Sequence, residues 1–172
     1  MLKIIRAGML TSVQAGKRTG LRQSGISYSG ALDAPALEIA NALVGNDPDA
    51  AALEITLGQC EVEFTHDGWF ALTGAGCDAQ LDGKPVWTGW RHAMTAGQRL
   101  ILKSPQRGMR SYLAVAGGLD VPEVMGSRST DLKTGIGGFQ GRALKDGDSL
   151  PVLPATRTFS GPQGVKQLLW GN

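Results

Sequence analysis

The chain has 172 residues, the length of one domain, and is long enough to bury a core without disulfides or structural metals. Its 17 Lys and Arg residues and 15 Asp and Glu residues leave a formal charge of +2, which argues against a nucleic-acid surface and a polybasic membrane anchor. The hydrophobic fraction of 42% is that of a globular protein. The 25 glycines follow no collagen repeat and indicate many turns.

Metal, disulfide and targeting signals are missing from the sequence. Cys60 and Cys77 form no C-x-x-C pair, and His66 and His92 lack metal-ligand spacing, so we expect neither a metal nor a disulfide. The N-terminus has no apolar stretch of signal-peptide length, and no uncharged run approaches the ~20 residues of a membrane helix. These features predict a cytoplasmic protein that binds neither membranes nor nucleic acids.

Short runs with strand chemistry, separated by Gly, Asp, Pro or Ser, dominate the chain. The dipeptide Asp82-Gly83 between two such runs is typical of a type I′ hairpin turn. Strands at this spacing predict a mainly β barrel of short, mostly antiparallel strands. The predicted strands are Leu2–Arg6, Glu61–Phe64, Trp69–Leu72, Ala79–Leu81, Arg99–Lys103 and Ser111–Val115.

One segment, residues 33–45, has helical periodicity instead. Asp33 suits the N-cap, Pro35 the first turn and Gly45 the position after the last turn. Apolar residues recur along it at helical spacing, at Leu37, Ala40, Leu43 and Val44. The sequence thus predicts one principal helix lying against the β body.

The domain organisation follows from a change in composition near the C-terminus. We expect residues 1–150 to form the β-barrel domain. Residues 151–164 are rich in Pro, Gly, Ser and Thr and are predicted to be a linker. Residues 165–172 begin a new apolar run, which we interpret as the start of a second half.

Three segments rich in glycine and hydroxyl groups are candidate binding loops. Residues 20–33 place four hydroxyls and an arginine before the helix, which suits an anion unless they only cap the helix. Residues 116–131 contain a Gly-Gly pair and hydroxyls around an arginine, which suits a carboxylate unless the hydroxyls only bond local backbone. Residues 135–142 form either an anion-binding nest or a plain hairpin. Glu54, inside an apolar run, is either a buried functional acid or a sheet-edge charge.

Six motifs in order resemble the biotin-dependent carboxyltransferase-like family, also called allophanate hydrolase subunit 2-like. They are SGISYSGALD at 24–33, ANALVGN at 40–46, ALEITLG at 52–58, YLAVAGG at 112–118, GSRSTD at 126–131 and GGFQGR at 137–142. The resemblance runs through essentially all 172 residues and is strongest to the branch of the family that holds the C subunits of 5-oxoprolinases. Family members are longer, so the chain resembles their N-terminal half.

The resemblance implies a cyclophilin-like β-barrel and a subunit of an ATP-dependent 5-oxoprolinase. Such a complex, which also contains A and B subunits, opens 5-oxoproline, a small amide with a carboxylate, to L-glutamate. ATP would be used by the complex, since this chain has no P-loop and we expect it to bind no cofactor itself. The alternatives are a biotin-dependent carboxyltransferase of the urea carboxylase type, an allophanate hydrolase-related subunit, and a non-catalytic regulator like the Kip antagonist protein.

No catalytic residue is assigned, because no nucleophile–base pair is visible in the sequence. The groups within the matching motifs that suit an anionic substrate are arginines, hydroxyls and glycines that allow close approach. The predicted substrate-binding residues are Ser29, Asp33, Gly117, Gly118, Arg128, Ser129, Thr130 and Arg142.

Overall fold

The computed structural model describes residues 1–16, 30–124 and 126–164. In chain order its elements are β1 (Leu2–Arg6), β2 (Leu10–Gln14), α1 (Ala34–Leu43), β3 (Ala52–Thr56), β4 (Cys60–Phe64), β5 (Gly68–Leu81), β6 (Lys84–Val86), β7 (Trp90–Met94), β8 (Arg99–Val115), β9 (Ser149–Leu150) and β10 (Gln163–Gly164). All pairings between these strands are antiparallel. The predicted mainly β architecture with one principal helix is confirmed.

The long strand β8 organises the sheet. Its first part pairs with β4, its last part pairs with β3, and β5 pairs along most of its other side. From β4 the sheet continues through β1 to β9, from β3 to β2, and from β5 through β7 to β10. Inward side chains from β1 to β9 form one apolar cluster, with the Phe64 and Phe70 rings stacked 5.0 Å apart. The sheet therefore curls around a single core.

The helix α1 covers the outer face of this sheet. Leu37 and Leu43 pack there against small residues, including Ala71 and Ala114, which let the helix approach closely. Asp33 is the N-cap, as predicted, and its Oδ1 accepts a 3.2 Å hydrogen bond from the Ala36 amide. A second apolar cluster thus lies between the helix and the outer face of the curled sheet.

The predicted strand runs are confirmed, but four of them belong to only two strands. Trp69–Leu72 and Ala79–Leu81 are the two ends of β5, and Arg99–Lys103 and Ser111–Val115 are the two ends of β8. Between these ends the register of the β5–β8 pairing shifts at glycines and polar residues, but the two strands stay paired. The predicted type I′ turn is confirmed by positive φ values at Asp82 (48°) and Gly83 (83°).

Strand β2 was not predicted from the sequence, because its residues are mostly polar. In the fold they are buried: Thr11 Oγ1 donates to the Ala7 carbonyl at 2.6 Å, and Gln14 Nε2 donates to Ser12 Oγ at 2.9 Å. Long-range pairing with β3 thus overrides the weak local strand signal.

Residues 151–164 lie against the β body. The Leu153 amide donates to the Gly118 carbonyl at 2.9 Å, and the segment ends as β10 on the edge strand β7. The division into a barrel domain, a linker and a second half stays a prediction. In the ranges 1–16, 30–124 and 126–164, no helix is long and apolar enough to cross a lipid bilayer.

Candidate functional site

A cavity of about 250 Å³ lies at the C-terminal end of α1, and we call it the Arg128 cavity. It brings together Gly117, Gly118 and Arg128, three residues that the sequence singled out. Its full lining is Gly45, Asn46, Asp47, Asp49, Ala50, Ala51, Gly117, Gly118, Leu119, Arg128, Leu153 and Thr156.

The Gly117-Gly118 pair forms one wall of the cavity as bare backbone. Both glycines have positive φ, 104° and 85°, which side chains rarely adopt. A Cβ at Gly117 would collide with the Leu153 carbonyl. The close backbone approach that the sequence predicted is therefore made by the chain's own residue 153.

Two asparagine side chains fix the turn after α1, which also lines the cavity. Asn46 Oδ1 accepts from the Gly117 amide at 2.8 Å, and its Nδ2 donates to the Val115 carbonyl at 2.9 Å. The fully buried Asn41 donates from Nδ2 to the carbonyls of Pro48 (3.2 Å) and Ala50 (3.0 Å). These bonds hold the turn after α1 against the end of β8, so the cavity is built on fixed elements.

Arg128 is the cation of the cavity. It is half-buried, and its Nε donates to the Val121 carbonyl at 3.2 Å. Its two Nη groups make no hydrogen bond or ion pair to any residue that the structure describes. Asp131, which follows it in the motif, instead accepts the amides of Lys133 (3.1 Å) and Thr134 (3.3 Å). The Arg128 guanidinium is thus available to a ligand.

Two exposed carboxylates, Asp47 and Asp49, share the cavity with this guanidinium. A guanidinium offers paired donors to a carboxylate, and an aspartate accepts hydrogen bonds from N–H groups. The arrangement therefore suits a small molecule that carries both a carboxylate and an N–H donor.

The predicted hydroxyl ligands Ser129 and Thr130 are buried behind the cavity, with exposures of 0% and 3%. Ser129 Oγ accepts from the Ala15 amide at 2.9 Å, and Thr130 Oγ1 donates to the Val13 carbonyl at 2.8 Å. These bonds fasten the segment that carries Arg128 to the end of β2. Direct contact of these hydroxyls with a substrate stays a prediction.

The remaining predicted residues lie elsewhere. Arg142 forms a two-pronged ion pair with Asp148, with N–O distances of 2.8 and 3.0 Å, and this guanidinium holds the pKa of the Asp148 carboxyl below its usual value. Asp33 caps the opposite end of α1 from the Arg128 cavity. Ser29 lies outside the described residues. Their roles in binding stay predictions.

Glu54 is a buried acid and does not lie on a sheet edge, because β3 runs between β2 and β8. It is only 6% exposed, and its Oε2 accepts hydrogen bonds from Tyr112 Oη at 2.7 Å and the Leu32 amide at 3.0 Å. Burial, with the neighbouring Glu54, raises the pKa of the Tyr112 phenol, so Tyr112 stays a neutral donor. The sequence reasoning missed Tyr112. The sequence did hold a signal for it: Tyr112, Ala114 and Ala116 are every second residue along the end of one strand run, so they share a face, and this face packs under the helix.

Comparisons with known proteins show the family to which the chain belongs. Residues 24–169 match the model of the family described as carboxyltransferase domain, subdomain A and B, and the chain belongs to that family. It is 73% identical over 172 residues to the Escherichia coli protein named as the C subunit of 5-oxoprolinase, covering all of this chain and 56% of that protein. The Haemophilus influenzae protein of the same name is 41% identical over 150 residues, covering 87% of this chain and 48% of that protein.

A solved structure shares both sequence and fold with the chain. The crystal structure of the Kluyveromyces lactis urea carboxylase aligns with a TM-score of 0.86 and 34% identity, covering 90% of this chain and 14% of that one. The chain spans about half the length of the curated 5-oxoprolinase relatives that it matches.

Proposed function

We propose that the chain acts as the C subunit of an ATP-dependent 5-oxoprolinase, which opens 5-oxoproline to L-glutamate together with A and B subunits. The observation that carries this proposal is the 73% identity, along the whole chain, to the Escherichia coli protein of that name. Because the chain spans 56% of that relative, we assign the reaction to the assembled complex and not to these residues alone.

The Arg128 cavity is the proposed position of the substrate. 5-Oxoproline carries a carboxylate, a lactam carbonyl and a lactam N–H. The free Nη groups of Arg128 would donate to the carboxylate, and Asp47 or Asp49 would accept the lactam N–H. Ser129 and Thr130 would keep Arg128 in place through their bonds to the end of β2.

The chemistry of ring opening needs groups beyond this cavity. ATP would be bound and used by the partner subunits, since this sequence has no P-loop. In this division of labour, the chain holds the carboxylate end of the substrate and the partners activate the lactam.

The test is reconstitution. The chain is mixed with the A and B subunits of 5-oxoprolinase, ATP and 5-oxoproline, and glutamate release is measured. We expect glutamate only when the chain, both partners and ATP are present, and none when any of these is omitted. Equal glutamate release without this chain would contradict the proposal.

A second candidate function is biotin-dependent carboxyl transfer of the urea carboxylase type. It is favoured by the TM-score of 0.86 to the Kluyveromyces lactis urea carboxylase. Avidin separates the two functions: it would block carboxyl transfer from a biotinylated carrier and leave glutamate release from 5-oxoproline unchanged.

A further inference from the structure

We propose that a groove at the N-terminal end of α1 is a second binding site, which takes a carboxylate attached to an apolar body. The groove has a volume of about 540 Å³, and Arg107 and Arg110 of β8 are its two cations. Its lining is Leu32, Asp33, Gly74, Ala75, Gly76, Arg107, Gly108, Met109 and Arg110.

Arg110 is the main reason for the proposal. Its Nε is buried and has no hydrogen-bond partner among the residues that the structure describes. An unsatisfied buried donor costs free energy, and such groups are rare in native proteins unless a ligand, a water or a function explains them. Because Arg110 lines the groove, a carboxylate bound there would give its guanidinium a partner.

Arg107 adds a second free guanidinium to the same groove. It is exposed and makes no ion pair or hydrogen bond within the part of the chain that the structure describes. Other arginines are engaged: Arg99 pairs with Glu61 and Glu63, and Arg91 stacks over the Phe159 ring at 4.0 Å. The groove therefore gathers two guanidinium groups that make no ion pair or side-chain hydrogen bond in the ranges 1–16, 30–124 and 126–164.

The walls of the groove leave room for a ligand. A Cβ at Gly76 would meet no atom of the described residues within 4 Å, so the backbone there is open toward them. Leu32 and Met109 expose 68% and 51% of their surface at the groove, and both are apolar. A ligand with an apolar body would cover them while its charged end reaches Arg110.

The charge of the groove favours a carboxylate over a phosphate. Asp33 lies on the rim, and its Oδ1 already accepts the Ala36 amide of the helix. With two guanidinium groups and one aspartate the groove carries a formal charge of +1, which one carboxylate neutralises, whereas a doubly charged phosphate would leave an excess negative charge. The planar guanidinium also matches the geometry of a carboxylate.

This groove is distinct from the Arg128 cavity. The ten residues of α1 separate Asp33, at the groove, from Gly45, at the cavity. At 1.5 Å per residue the two ends lie about 15 Å apart, too far for one small molecule to fill both. The proposal for this groove therefore does not depend on the proposed 5-oxoprolinase function.

The test uses benzoate as the probe and benzamide as its uncharged match. The arginine Nε–H signals of the ¹⁵N-labelled chain are followed by NMR while each compound is added. We expect benzoate, and not benzamide, to shift the Arg110 signal saturably. An unshifted Arg110 signal, or equal binding of benzamide, overturns the proposal, and tighter binding of inorganic phosphate than of benzoate overturns its carboxylate specificity.

Variants assign the binding to the groove. We expect Arg110→Gln to weaken benzoate binding at least tenfold, and Arg6→Gln, an exposed arginine on β1, to leave it unchanged. If Arg110→Gln fails to fold, Arg107→Gln takes its place, because its exposed side chain is not needed for packing. We expect it to weaken binding at least threefold, and unchanged affinity overturns the proposal.

Discussion

The Tyr112 hydroxyl donates a 2.7 Å hydrogen bond to the carboxylate of Glu54, which stands directly opposite it on the neighbouring strand. The same hydroxyl accepts the Asp33 amide at 2.9 Å. The Tyr112 phenol thus links the buried Glu54 carboxylate to Asp33, the N-cap residue of α1. Glu54 stays satisfied in a nearly water-free position only while this link is present.

We expect Tyr112→Phe to lower the free energy of unfolding by about 1.5–3 kcal/mol, the range for a hydrogen bond to a charged group. The phenylalanine keeps the packing but leaves Glu54 with only the Leu32 amide. Urea unfolding measures the change. In the Glu54→Gln background the same substitution should cost less, and an equal cost in both backgrounds would show that the two side chains are not coupled.

Gly117→Ala should destabilise the fold more than Gly97→Ala. Both glycines have similar positive φ, 104° and 92°, so each alanine carries about 1–2 kcal/mol of backbone strain. Only at Gly117 does the new methyl group also meet the Leu153 carbonyl, whereas a Cβ at Gly97 would meet no described atom within 4 Å. That overlap adds about 1–3 kcal/mol. Thermal unfolding of the two variants measures the difference, and equal midpoints would contradict the predicted contact.

The Arg142–Asp148 ion pair should make stability depend on pH in the acid range. The hydrogen bond that Arg142 donates lowers the pKa of Asp148 in the folded state. The contribution of the ion pair to the free energy of unfolding is therefore fully present above the unfolded pKa of about 3.9. The contribution is lost as pH falls through the lower, folded pKa. The stability gap between the native chain and Asp148→Asn should therefore be constant from pH 7 to about pH 5 and shrink below about pH 4.

The matched control for this pH dependence is Asp78→Asn. Asp78 pairs with Lys103 at 3.8 Å, but both side chains are more than half exposed. Exposed pairs of this kind contribute ~0–1 kcal/mol, so this variant should differ little from the native chain at any pH. A gap for Asp148→Asn that grows as the pH falls would contradict the sign of the pKa shift.

Arg128→Lys should weaken binding of 5-oxoproline, although the charge is kept. Lysine cannot make the paired, planar contacts of a guanidinium, and the loss should be on the order of 1–3 kcal/mol. The measurement is KM for 5-oxoproline in the full-length, reconstituted complex with the A and B subunits, with thermal stability and Arg6→Lys as controls. An unchanged KM in a stably folded Arg128→Lys variant removes Arg128 from the site.

Features set by neighbouring residues could be predicted from the sequence. The helix cap at Asp33, the turn at Asp82-Gly83 and the alternating strand runs depend on backbone preferences and periodicity within a few residues. The Gly117-Gly118 pair was likewise predictable as a close approach of backbone, although the residue that approaches, Leu153, was not.

Only the tertiary structure decided which distant residues meet. Ser129 and Thr130 bond the end of β2, more than a hundred residues away, and Glu54 meets Tyr112 through strand register. Local preferences carry no information on such pairings, because register and burial are set by the curled sheet as a whole. The tertiary structure also separates the predicted site residues, because Asp33 and the Arg128 cavity lie at opposite ends of α1.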